Sequence, residues 1–143
     1  MSSDSVHIEV KGAIMASEPR VKHAQEMGEI WLTELVGPDL AAGLIANRKK
    51  RDGERAHVTL VSPKDAKGKI LDGATAVQSD WVSLGLGKAE ANGRVAYFVV
   101  VSWPSGKEFR RSLGLDPDGQ DFHITVGFGP EGDVHGVPKN VVL

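Results

Sequence analysis

The chain contains no cysteine. That excludes a disulfide framework and any metal site built on thiolates. No apolar run approaches the roughly 18 residues that a membrane-spanning helix requires. Met1–Val10 is polar and acidic and lacks the apolar centre of a secretory leader. A cytoplasmic protein that works away from membranes is the expectation. A dominant charge is also missing: 17 Lys and Arg stand against 19 Asp and Glu, for a net charge of −2. A domain-wide basic field for duplex binding is therefore absent, although a local basic groove is compatible with gripping an RNA end. What is present is an ordinary globular balance, 41% hydrophobic and 25% charged over 143 residues. That is the length of one domain. Residues 1–143 are read as a single domain and the protein as a monomer.

The pattern along the chain predicts mixed α and β structure. Val6, Ile8 and Val10 alternate with polar residues, as in a half-buried strand. Pro19 suits a helix first turn. From it Val21, Ala24, Met27, Trp31 and Leu35 recur at helical spacing until Gly37-Pro38. Asp39 is expected to cap a second helix that buries Leu40, Leu44 and Ile45 and ends in Arg48-Lys49-Lys50-Arg51 before Asp52-Gly53. This basic run either complements the helix dipole or contacts phosphate. Residues 56–61 read as a strand. A helix opening at Ser62-Pro63-Lys64-Asp65 follows, with Ile70 and Leu71 as its core contacts and Asp72-Gly73 as its stop. Asn92-Gly93 between Trp81–Ala89 and Arg94–Trp103 signals a β-hairpin, and Val99-Val100-Val101 a strand buried on both faces. Ser105 and Glu108 stand at capping-box spacing, with Phe109, Leu113 and Leu115 as that helix's apolar contacts. Asp116-Pro117-Asp118-Gly119 is a turn, Phe122–Phe128 a strand, and Val141–Leu143 a last one.

Two of these strands repeat a motif. His57-Val58-Thr59-Leu60 and His123-Ile124-Thr125-Val126 are each His-x-Thr followed by an apolar residue. On a strand, residues two apart face the same side. Each His therefore points with its Thr into one space, while Val58 and Ile124 turn to the core. Two imidazoles on opposite sides of a phosphorus supply a base for the nucleophile and an acid for the leaving oxygen near neutral pH. Two threonine hydroxyls can donate to the non-bridging oxygens, where charge builds. Which histidine is the base is open at this level. His7, His23 and His135 carry no motif and are read as surface or structural residues.

These paired motifs resemble the two-histidine phosphoesterase superfamily, which includes LigT-like RNA 2′,3′-cyclic phosphodiesterases. His123-Ile124-Thr125-Val126-Gly127-Phe128 is close to the second family motif. His57-Val58-Thr59-Leu60 matches the first, but Val61-Ser62-Pro63-Lys64 departs from the aromatic ending common in LigT itself. It is closer to the subgroup associated with RNA-repair and tRNA-ligase-like proteins. The resemblance covers residues 54–130. It implies an α+β, bilobal fold: two small antiparallel sheets with flanking helices, related by a pseudo-twofold around a central cleft. It also implies a phosphodiesterase that opens 2′,3′-cyclic phosphates at RNA ends or on nucleotides. Phosphodiesterases for cyclic or 2′,5′-linked oligonucleotides, and a binding module without turnover, are the alternatives.

His57, His123, Thr59 and Thr125 are thus the expected catalytic set. Tyr97, Trp103 and Phe128 either pack in the core or stack a base. Arg110, Arg111 and Lys64 are candidate phosphate contacts. No metal site and no cofactor are expected. Phosphodiesterase activity should therefore be unchanged by excess EDTA in a turnover assay; complete loss on chelation, restored by Zn²⁺ or Mn²⁺, would point to metal-assisted chemistry instead.

Overall fold

The computed structural model describes residues 5–11, 13–67 and 76–143, with the backbone alone for 5–11 and 76. The chain runs β1 (Ser5–Lys11), β2 (Ala13–Ala16), α1 (Pro19–Val36), α2 (Pro38–Asp52), β3 (Val58–Val61), α3 (Pro63–Ala66), β4 (Ala76–Gln78), β5 (Val82–Ala91), β6 (Arg94–Ser102), α4 (Pro104–Ser112) and β7 (His123–Phe128). The strands form two antiparallel sheets, ordered β3-β2-β1-β4 and β5-β6-β7. This is the α+β architecture expected; the second His-x-Thr motif sits on the edge strand β7, and the first enters the edge strand β3 at Val58, with His57 just before it.

The hairpin between β5 and β6 turns where expected. Asn92 and Gly93 both have positive φ, 54° and 75°, as the two central residues of a type I′ turn must. The long helices pack by their small residues. A Cβ added at Gly28 of α1 would lie 2.6 Å from Val126 and 2.7 Å from Val99 side-chain atoms. Helix and sheet therefore approach backbone to side chain. One contiguous apolar core includes Ile14 and Val58 from the first sheet and Val99, Ile124 and Val126 from the second. A satellite cluster gathers Phe98, Val100, Phe128 and Val134 on the other face of β6.

Edge strands expose unpaired backbone carbonyls, and here side chains satisfy them. On β7, Gln25 Nε2 donates to Thr125 O at 3.0 Å, Arg48 Nη1 to Val126 O at 2.9 Å and Asn47 Nδ2 to Phe128 O at 2.9 Å. The β6–β7 register shifts between Tyr97 and Phe98, leaving Val126 without an opposite residue. On β3, Arg110 Nη1 donates to Leu60 O at 2.8 Å, and just before that strand Ser17 Oγ donates to Ala56 O at 2.9 Å.

Several expectations are corrected. Residues 56 and 57 precede β3 rather than belonging to it. Leu40 is 58% exposed, because the inward face of α2 is Ala41, Leu44 and Arg48 and adjacent helical positions point about 100° apart. Leu35 is also exposed, while its neighbour Val36 packs on the core. Asp39 does not cap α2: Gly37 is the N-cap and Pro38 opens the helix. The expected capping box of α4 does not form either. Trp103 is the N-cap, and Asp80 satisfies the helix start by accepting from Ser105 Oγ at 2.7 Å and Ser105 N at 3.3 Å. Val141–Leu143 is not a strand, although it lies against β5: Leu143 N donates to Leu86 O at 2.9 Å, and a Cβ added at Gly85 would lie 2.8 Å from the Val142 side chain. The expected contacts at Ile70, Leu71 and Asp72-Gly73 lie outside the described residues, as do the side chains of Val6, Ile8 and Val10.

The close approach of α2 to β7 makes a sharp pair of substitutions. A Cβ at Gly127 would meet the Leu44 backbone at 2.8 and 2.9 Å, whereas one at Gly43 meets nothing within 4 Å. In urea denaturation Gly127→Ala should cost about 1–3 kcal/mol by overpacking. Gly43→Ala, in an exposed helix interior, should add about 0.5–1 kcal/mol.

Candidate functional site

The two motif strands bring their histidines and threonines to one cavity of about 530 Å³, lined by His57, Thr59, His123 and Thr125. The local reason is the alternation of each strand. Val58 and Leu60, and likewise Ile124 and Val126, are wholly buried on the core side. The intervening positions are left to face the cleft. A second chamber of about 380 Å³ adjoins the first and shares Ser62, Gln120, His123, His135 and Lys139 with it.

His123 is held by a contact of 2.7 Å between Nδ1 and the backbone carbonyl of Asp121. A carbonyl only accepts, so Nδ1 carries the proton, and in the neutral ring Nε2 holds the free lone pair. The ring also meets the edge of Phe98 at 5.6 Å between centroids. Burial, then the Lys139 charge, bring the His123 pKa down to about 4, with His57 adding to the fall; the Asp121 carbonyl and the Asp133 charge oppose it. His57 is also lowered, first by burial and then by Arg51 and Arg55, against the Asp52 carboxylate, which raises it. The leading charge on His57 is thus a carboxylate, and on His123 an ammonium.

The cleft holds charged groups that no motif marked. Arg51, Asp52, Arg55, Asp133 and Lys139 all line it, as do Gln120 and His135. Arg51 donates to Asp52 from Nε at 2.8 Å and from Nη2 at 3.0 Å, and to Asp133 from Nη1 at 2.6 Å. Its guanidinium lies 4.9 Å over the Phe128 ring. Of the basic run that ends α2, Arg51 reaches the cleft. Arg48 instead is buried against Glu29 at 2.8 Å. The helical period does not separate them, since Arg51 stands seven residues past Leu44 and so shares the face of Ala41, Leu44 and Arg48; what each one meets is set by the packing around it. Asp133, His135 and Lys139 lie in a Gly- and Pro-rich tail without periodicity, so nothing in the sequence marked them.

The auxiliary residues named from the sequence are not in the cleft. Trp103 is 1% exposed; its Nε1 donates to Gln78 O at 2.8 Å and its ring packs on Phe122. Tyr97 is buried in the main core and Phe128 in the satellite cluster. None of the three lines the cavity, so the expected base stacking at these positions is corrected to core packing. Arg110 is 1% exposed and holds Leu60 O and Asp116 O. It is a support of β3, not a phosphate contact. Arg111 is exposed, 3.6 Å from Glu108, and Lys64 is exposed on α3; neither lines the cleft. Strand and helix periodicity places a side chain on a face but does not say which face meets the site.

Residues 24–135 match the family described as Swiss Army Knife, 2H phosphoesterase domain. Curated proteins and solved structures give no match.

The His123 environment has a consequence for stability. The unfolded chain takes up this proton near pH 6.5 and the folded chain only near 4. The neutral ring therefore contributes fully above pH 6.5, and the contribution is lost as pH falls towards 4. The loss amounts to about 3 kcal/mol at most. His123→Gln removes the titration. Its stability difference from wild type, followed by urea denaturation, should shift in its favour by up to that amount between pH 7 and pH 4.

Proposed function

The chain belongs to the two-histidine phosphoesterase family, being matched over residues 24–135, and on that premise we propose that residues 1–143 act as one domain hydrolysing a 2′,3′-cyclic phosphate at an RNA end or on a nucleotide. The observation that carries this reading is the meeting of His57, Thr59, His123 and Thr125 in one cavity. In the proposed reaction His123 is the base. Its Nδ1 proton is committed to the Asp121 carbonyl, and burial and Lys139 keep its ring neutral at neutral pH. Nε2 takes a proton from water as the water oxygen bonds to phosphorus. His57 is the acid, favoured by the Asp52 charge at its side. It gives its proton to the ribose oxygen as the P–O bond breaks, leaving a 2′-phosphate. The hydroxyls of Thr59 and Thr125 donate to the non-bridging oxygens, a contribution that grows as charge develops there.

A 2′,3′-cyclic phosphate suits such a site because the 2′-oxygen of ribose closes a strained ring on phosphorus, from which the 3′-oxygen is the leaving group. Polar side chains at the cavity wall, among them Ser17, Ser62 and Gln120, are suited to ribose hydroxyls. Substrate grip in this reading therefore rests on phosphate and sugar.

RNA oligomers ending in a 2′,3′-cyclic phosphate should be opened to monophosphates, and 2′,3′-cyclic nucleotides more slowly, while DNA with a 3′-phosphate stays intact. His57→Ala and His123→Ala should each lower turnover by about 100-fold or more, and the double variant should be little worse than either, since acid and base act as a unit. Far-UV circular dichroism checks the fold of each. A single variant retaining more than about a tenth of wild-type turnover overturns the assignment. Tight binding of cyclic-phosphate RNA by the wild type with no turnover would leave a binding module.

A further inference from the structure

Lys139 stands four residues past the end of the family match at residue 135. Its side chain is only 7% exposed, yet it lines both chambers of the cleft. One bond to Asp121 fixes its backbone, and a second ties Asp121 to His123. The Asp121 carboxylate accepts the Lys139 main-chain N–H at 2.9 Å, and the Asp121 carbonyl holds His123 Nδ1. The lysine backbone and the imidazole are thus anchored on one residue.

The ammonium itself is poorly held. An ammonium has three donors, and among the described residues this one makes a single hydrogen bond, to Asp133 Oδ1 at 3.3 Å. Charge-assisted N–H···O bonds are typically about 2.7–2.9 Å. Asp133 is already in use: Oδ1 accepts the Val134 N–H at 2.7 Å, and Oδ2 accepts Arg51 at 2.6 Å. Arg51, by contrast, is held by two carboxylates, Asp52 and Asp133, through three of its five N–H groups. The ring of Phe98 lies 5.8 Å from the Lys139 nitrogen. A nearly buried cation with one long, shared bond, facing a cleft, is electrostatically prepared for an anion.

We propose that Lys139 is the oxyanion-binding cation of this cleft: it rests on Asp133 in the free protein and moves its hydrogen bonds to a non-bridging phosphate oxygen when substrate enters. The ligand class is a phosphate ester or inorganic phosphate. This rests on the phosphodiesterase reading for its substrate but not for its anion. The same charge acts on His123 after burial as its largest depressing influence, so anion binding and base strength are coupled through one side chain. The charged and titratable groups around that imidazole are Lys139, Asp133, the Asp121 backbone and His57; His135 and Arg51 line the same cavity.

Inorganic phosphate is the probe, added to the full chain and followed by calorimetry and by NMR of the histidine rings and of the lysine Nζ. Lys139→Met should weaken phosphate binding by about tenfold or more, the value of one lost charged hydrogen bond. It should also raise the His123 pKa. Lys139→Arg should keep binding within about threefold, because the charge is retained. A lysine that serves only as a structural partner of Asp133 would alter stability and, through its charge, the His123 pKa, but would leave phosphate affinity unchanged. Wild-type protein gives a test free of folding effects: phosphate should shift the Lys139 Nζ resonance. Unchanged phosphate affinity in Lys139→Met, or an unmoved Nζ resonance, overturns the proposal. A protein without turnover whose phosphate affinity still depends on Lys139 supports this site and overturns the cyclic-phosphate reading. An active protein whose affinity ignores Lys139 does the reverse.

Discussion

Both motif strands are sheet edges, and an edge strand carries backbone groups that must find partners outside the sheet. That constraint organises this molecule. Neither β3 nor β7 has a second strand beside it among the described residues. The cost of the open backbone is met by side chains. Gln25, Asn47 and Arg48 from the two long helices bond to β7. Arg110 from α4 does the same for β3, and Ser17 for Ala56 just before it. Two buried arginines follow from this. Arg48 and Arg110 have no role in the cleft, yet each holds the strand that carries a motif. Removing either would leave a carbonyl unsatisfied in the core, where the desolvation cost is typically about 1–3 kcal/mol.

Helix packing serves the same end. Glycines at 28 and 127 let α1 and α2 come close to β7; a Cβ at either would lie within 3 Å of Val126 or of the Leu44 backbone. Only at that distance do the short side chains of Gln25 and Asn47 reach the strand. The second motif is therefore rigid from below, through glycine contacts, and from the side, through hydrogen bonds. His123 is further fixed by the Asp121 carbonyl.

Electrostatics at the cleft depend on position rather than on total charge. The chain as a whole is slightly acidic, at −2. Within the cleft Arg51, Arg55 and Lys139 stand with Asp52 and Asp133 around two partly buried imidazoles. Burial favours the neutral ring at both. The neighbouring charges then separate the two, a carboxylate beside His57 and an ammonium beside His123. Both rings are lowered, but the leading charged neighbour differs between them.

The elements legible in the amino-acid sequence are those that depend on near neighbours. The helical spacing from Val21, the Asn92-Gly93 turn and the alternation around each His-x-Thr are local, and all three appear in the fold. Helix starts were less legible, because Gly37 and Asp80, rather than Asp39 and a Ser105–Glu108 pair, complete them, and Asp80 is remote from α4 in sequence. The four motif residues could be named because two short segments repeat each other, whatever lies between them. Their meeting in one cavity, the burial of Tyr97, Trp103, Phe128 and Arg110, and the arrival of Arg51, Asp133 and Lys139 were decided by tertiary structure alone. Periodicity says that a side chain shares a face with its neighbours two, three or four positions away. Whether that face meets solvent, core or cleft depends on groups tens of residues distant, such as Gln25 beneath Thr125 and Leu60 beside Arg110.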